Sequence, residues 1–117
     1  MCLMTAILII EDQAVIRALL KRLLAHRGYT VVEAEDLAAA RQACASAVFD
    51  LVIADSHLPD GDGVSFAREA QADGRVRHVI VTSGEPIQAD WVGLDAILPK
   101  PFSADTLVST VQQALAK

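Results

Sequence analysis

Four places in this chain carry side chains able to do chemistry, and each follows a short apolar run: Glu11-Asp12, Asp55, Thr82-Ser83 and Lys100. Three carboxylates brought together repel one another and stay ionised only with a cation among them. Mg2+ suits such a set, because it takes one or two carboxylates, several waters and a phosphate oxygen. Lys100 adds a fixed positive charge. In that setting Asp55 is a candidate nucleophile that forms an aspartyl phosphate. Lys100 and the metal would stabilise the charge on a phosphoryl group in transfer, and Thr82 would donate a hydrogen bond to one of its oxygens. Each residue alone has a plainer reading. A Glu-Asp pair after a strand often only balances a helix dipole, Thr82 and Ser83 suit a turn, and Lys100 is one of ten basic residues. Their recurrence at successive strand ends favours the chemical reading.

The elements that must position these residues are legible in the apolar pattern. Phe49-Asp50-Leu51-Val52-Ile53-Ala54-Asp55 is apolar without interruption from Leu51 to Ala54, the signature of a parallel strand buried on both faces. It ends on Asp55, where open α/β sheets place their chemistry, and a turn-rich loop runs from Ser56 to Gly63. Ala6 to Ile10, Thr30 to Ala34, His78 to Val81 and Ala96 to Leu98 read as the other four strands. Between them, Ile16, Leu19, Leu20, Leu23 and Leu24 form one helical stripe that Gly28 ends, with Arg17, Lys21 and Arg22 off the stripe. Asp36 caps a helix to about Ser46. Val64 to Ala72 is a helix closed by Gly74, and Ser103 caps a last helix with Leu107, Val108, Val111 and Leu115 on one face. Between Pro86 and Gly93 at most about two helical turns fit. The expected pattern is βαβαβαβαβα: a doubly wound parallel sheet with helices on both faces.

A chain of 117 residues suits one domain, and 53% apolar residues suffice for a core without disulfides. Cys2 and Cys44 are expected as reduced thiols. The net charge of −5 and the lack of a basic stripe argue against nucleic acid binding by this domain alone. No apolar run has the length of a membrane span and the N-terminus lacks a signal-peptide pattern, so a cytoplasmic protein is expected.

The combined residues resemble the receiver domain of bacterial two-component response regulators, over essentially all 117 positions. Besides the strand-end groups, Asp55-Ser56-His57-Leu58-Pro59-Asp60-Gly61-Asp62-Gly63 matches the family's D-x-x-L/M-P-x-x-D-G loop in residues and spacing. The resemblance implies a flavodoxin-like five-stranded sheet of order 2-1-3-4-5. It implies that Asp55 accepts a phosphoryl group from a sensor histidine kinase or a histidine phosphotransfer protein. Asp12 and Asp55 would bind Mg2+ directly, Glu11 through water, and His57 through its backbone carbonyl. Thr82 would be the switch hydroxyl, and Lys100 would pair with Asp55 and then with the phosphate. The Lys100–Pro101 bond would be cis. Output to a further protein would pass through the half from Thr82 to Lys117. Such a domain is a signalling phosphoacceptor that assists its own phosphorylation and slow dephosphorylation, and not an enzyme acting on external substrates.

Two departures stand out. Ile97 replaces the aromatic residue often found three positions before the lysine, so an aromatic ring flip cannot report the switch. The stretch from Thr82 to Lys100 is also shorter than usual by about one helical turn, so the element there is expected to be short or irregular. Of the other residues, His57 is balanced between a ligand near the site and an exposed loop histidine. His26 and His78 read as surface or strand-end residues, Trp91 as a cover over the sheet, and Asp60 and Asp62 as turn formers. Three rival functions use the same fold: a phosphorylation-independent binding module, a flavin or nucleotide binder, and a metal hydrolase. A stand-alone receiver and a receiver fragment of a hybrid histidine kinase or longer regulator both fit the chain.

Overall fold

The computed structural model describes residues 5–117; Cys2 lies outside them. In chain order the elements are β1 (Ala6–Ile10), α1 (Ala14–His26), β2 (Thr30–Ala34), α2 (Leu37–Ser46), β3 (Phe49–Asp55), the two-residue strands β4 (His57–Leu58) and β5 (Gly61–Asp62), α3 (Gly63–Ala72), β6 (Val76–Ser83), β7 (Ala96–Pro99) and α4 (Ala104–Leu115). The main sheet has order β2-β1-β3-β6-β7 with every neighbour parallel. With the small antiparallel β4-β5 pair set aside, this is the expected 2-1-3-4-5 order.

Alternate side chains of the central strands feed two cores, which is why these runs are apolar throughout. Leu8, Val52, Val79 and Val81 face Ala40 and Cys44 of α2 and Ala67 and Ala70 of α3. Ile7, Ile9, Leu51, Ile53 and Ile80 face Leu20 and Leu24 of α1 and Leu107 and Val111 of α4. The helices thus cover both faces. Cys44 is buried and free, and burial pushes its thiol pKa up. The α1 stripe is not wholly inside, since Leu19 at its edge is 53% exposed.

Helix ends follow the local sequence. Asp36, Asp62 and Ser103 cap α2, α3 and α4 by accepting from the amides of Ala39, Val64 and Thr106. After α1, the Gly28 amide donates to Ala25 and the Tyr29 amide to Leu24, a Schellman closure that uses Gly28 at φ +92°.

Of the short or irregular element expected after β6, the irregular form is what appears: no helix forms, and residues 84–95 make a strap with turns and bends. The reason is local. Gly84, Pro86 and Gly93 break the stretch and no apolar stripe spans it. Its contacts hold it instead. Arg68 of α3 donates to the carbonyls of Asp90 and Val92, each at 2.6 Å. Trp91 is buried against the sheet as expected. Asp95 accepts from the Val79 amide at 2.7 Å and lies 3.1 Å from His78 Nδ1. His78 is therefore tied into the structure, while His26 is exposed.

The loop after β3 is where backbone packing is tightest. A Cβ on Gly63 would lie 1.9 Å from the Asp55 carbonyl oxygen, whereas one on Gly84 would meet nothing within 4 Å. Gly63→Ala is expected to destabilise the protein by about 3 kcal/mol or more, the upper range for overpacking against a fixed backbone. Gly84→Ala should stay within about 0.5 kcal/mol of the parent. Urea denaturation of the two variants checks this.

Candidate functional site

The carboxyl edge of the sheet gathers the strand-end residues. Glu11 directly follows β1 and is 1% exposed. Its amide donates to the Ala34 carbonyl of β2, and its carbonyl accepts from Arg17 at 2.8 Å. Asp12, next in the chain, is exposed. Asp55 ends β3 and is buried, with Thr82 of β6 beside it in the parallel register and also buried. Lys100 follows β7, and its amide donates to the Ser83 carbonyl at 2.7 Å. The Lys100–Pro101 bond is cis. Glu11, Asp55, Thr82 and Lys100 therefore stand on backbone held by a neighbouring strand.

Carboxylate oxygens of Glu11, Asp12 and Asp55 lie within 4.8 Å of one another. The Lys100 ammonium donates to Glu11 Oε1 at 2.8 Å and Asp55 Oδ2 at 2.9 Å. The other oxygen of Asp55 accepts from the His57 amide at 3.2 Å, and the other oxygen of Glu11 accepts from the Gln13 amide at 3.2 Å. One ammonium against three carboxylates leaves two negative charges unmatched.

The proton affinities follow from this crowding. Burial raises the Glu11 pKa above its ordinary value, and the nearby Asp55 charge adds to the rise; the hydrogen bonds from Lys100 and Gln13 oppose it without overcoming it. Burial alone would lower the Lys100 pKa, but hydrogen bonds to Glu11 and Asp55 and the two negative charges outweigh it and raise it. The donor set is all hard oxygen, carries excess negative charge and opens to solvent at Asp12. That combination fits Mg2+ and does not fit a soft metal.

Glu11, Asp12, Asp55, Thr82 and Lys100 thus meet at one rim. The His57 imidazole does not join them: its side chain is 84% exposed and lies 3.8 Å from Glu85. Asp60 is more than a turn former. Its two oxygens accept from the amides of Leu37 and Ala38 at the start of α2, at 2.9 and 3.0 Å. The Leu37 bond, with that from Ala38, holds the Asp60 pKa below its ordinary value. No sequence pattern announces this contact across 23 residues. Arg17 and Lys21, which lie off the apolar stripe of α1, both pair with Glu33. Ser83, which suits a turn in the sequence, and Ser56 in the loop after β3 are both buried and joined by a hydrogen bond between their hydroxyls at 3.0 Å.

Comparison with known proteins finds relatives in both sequence and fold. The profile of the family described as response regulator receiver domain matches residues 7–112. The KDP operon transcriptional regulatory protein KdpE of Escherichia coli (strain K12) is 38% identical over 117 residues, covering 96% of this chain and 52% of that protein. The chemotaxis protein CheY of Pseudomonas aeruginosa is 30% identical, covering 92% of this chain and 93% of that protein. The chain therefore spans about half the length of the transcriptional regulator and nearly all of the chemotaxis protein. Among solved structures, the signal receiver domain of an HD domain-containing protein from Pseudomonas fluorescens superimposes with a TM-score of 0.89 at 29% identity, covering 97% of this chain and 96% of that one. The response regulator protein TrrA of Thermotoga maritima, in complex with Mg(2+)-BeF, gives 0.83 at 29%, covering 95% and 99%.

The pKa directions set a pH profile for the metal-free protein. Glu11 binds its proton more tightly when folded, so stability falls as pH rises from its unfolded value of 4.5 through its folded one. Lys100 also binds its proton more tightly when folded, so its contribution is complete below 10.5 and is lost as pH rises through its higher folded value. Denaturant unfolding across pH in metal-free buffer should show both declines. Glu11→Gln should flatten the acid-side decline, and Lys100→Met should remove the alkaline one.

Proposed function

The chain belongs to the response regulator receiver domain family of two-component systems, and on that premise we propose that residues 1–117 form one receiver domain in which Asp55 accepts a phosphoryl group from a sensor histidine kinase or histidine phosphotransfer protein. The observation that carries this reading is the Lys100 ammonium bridging Glu11 and Asp55 while Asp12 closes the same acidic site. Asp12 and Asp55 would hold Mg2+ directly, with the His57 carbonyl, and with Glu11 through water. When bound, the metal neutralises the crowded acids and draws charge from the phosphoryl oxygens.

The chain's own residues do the rest. A carboxylate oxygen of Asp55 attacks phosphorus in line, the phosphorus–nitrogen bond of the donor histidine breaks, and its electron pair leaves with the imidazole. Lys100 already holds one Asp55 oxygen and is placed to follow charge onto the phosphoryl group. The Thr82 hydroxyl stands on the neighbouring strand at the same level and would donate to a phosphoryl oxygen. Water attack at phosphorus breaks the bond to the Asp55 oxygen, releases inorganic phosphate and returns the carboxylate to rest. Conformational output to a partner protein would pass through the Thr82 to Lys117 half. With Ile97 in place of an aromatic residue, the reading assigns the main rearrangement to the strap.

Incubation with a small phosphodonor and Mg2+ is expected to add one phosphoryl mass to the intact protein, and Asp55→Asn to add none. An unmodified wild-type protein would overturn the proposal and leave a binding module. Hydrogen exchange of residues 84–95 should change on addition of Mg2+ and beryllofluoride, and unchanged exchange there would rule out the strap as the responding segment.

A further inference from the structure

The Ser83 hydroxyl sits where the acidic site meets the strap. Ser83 is 2% exposed and follows Thr82; Ser56 is 9% exposed and follows Asp55. Ser83 Oγ accepts from Ser56 Oγ at 3.0 Å and from the Glu85 amide at 3.0 Å, and donates to the Glu85 carbonyl at 3.3 Å. A hydroxyl has one donor and two acceptor sites, so this one is fully used. The Ser83 carbonyl meanwhile accepts from the Lys100 amide, and the Thr82 carbonyl from the Ser56 amide. The segments bearing Asp55, Thr82 and Lys100 are thus joined around one residue, and both hydrogen bonds that fix the Glu85 backbone go to its hydroxyl.

The far end of the strap is anchored differently, by Arg68 on the Asp90 and Val92 carbonyls and by buried Trp91. A saturated buried hydroxyl cannot move by much without breaking a bond. A shift of Thr82 or of the Asp55–Ser56 segment therefore has to be taken up at Glu85. We propose that Ser83 is a positioning residue whose hydroxyl, by holding Ser56 and the Glu85 backbone at one atom, couples the state of Asp55 to the conformation of residues 84–95. The coupling supplies a route to the strap in a chain where Ile97 has no ring to turn. It rests on the phosphoacceptor reading of Asp55.

The protein contains a single tryptophan, and it is Trp91 in the strap, so its emission reports the seating of the strap against the sheet. The probe is Mg2+ with beryllofluoride, and fluorine NMR reports occupancy of the acidic site independently of Trp91. In the wild type, bound beryllofluoride is expected to appear together with a change in Trp91 emission. In Ser83→Ala, occupancy should persist while the emission change shrinks at least about threefold, as loss of the shared hydrogen bonds requires. Ser56→Ala, which removes one bond from the opposite side, should shrink it in the same direction and decides the matter if Ser83→Ala does not fold. A purely structural role would shift the resting emission and leave the beryllofluoride-induced change intact. Full retention of that change in either folded variant overturns the inference, as does an occupied wild-type site with no change at Trp91. Absence of bound beryllofluoride in the wild type removes the proposed function itself, and the inference with it.

Discussion

The structure depends on how one ammonium group stands among three carboxylates. Lys100 reaches Glu11 and Asp55 together, and both acids are largely shut off from water. Removing one partner of a buried ion pair commonly costs about 3–5 kcal/mol, because the remaining charge is left unpaired. Lys100 is itself partly exposed, which tempers that figure through solvent screening. Even with Lys100 in place the corner remains two charges short of balance. A protein that keeps such a corner gives up stability there, and a bound divalent cation would relieve the imbalance.

The parallel sheet makes this arrangement possible. Strands β1, β3, β6 and β7 all run toward the same edge, so the residue after each apolar run arrives at one place. Fully apolar interiors such as Ile7 to Ile10 and Leu51 to Ala54 fix the register on both faces. Gly63 lets the loop pass against the Asp55 carbonyl, and Asp60 ties the same loop to the start of α2. The acidic corner is thus built on rigid strands, while the adjoining strap is held at a few points, by Arg68, Trp91, Ser83 and Asp95. A stiff site beside a sparsely anchored segment is the arrangement expected of a device that turns a local charge change into a larger movement.

Much of this was legible in the residues alone. The strands, four of the helices and the meeting of Glu11, Asp12, Asp55, Thr82 and Lys100 follow from uninterrupted apolar runs and from what stands at their ends. The strand order came from resemblance to a family, since periodicity does not say which strands are neighbours. The segment after β6 read as a short helix because Pro86 and Gly93 bracket the right length, yet no apolar stripe was there to fold it onto the sheet. What Asp60, Ser56 and Ser83 hold is not legible in the sequence, for a different reason. Their roles are set by partners distant in the chain, and short polar residues in a turn-rich loop look alike until the backbone brings them together.

Crowded acids that form a site for a divalent cation must show it in thermal unfolding against increasing MgCl2. A cation that binds only the folded protein must raise the midpoint with concentration. The wild-type midpoint should climb along a binding curve, and that climb should disappear in Asp12→Asn, which leaves the Lys100 pairs in place. A wild-type midpoint indifferent to Mg2+, or one that rises equally in the variant, would contradict the account.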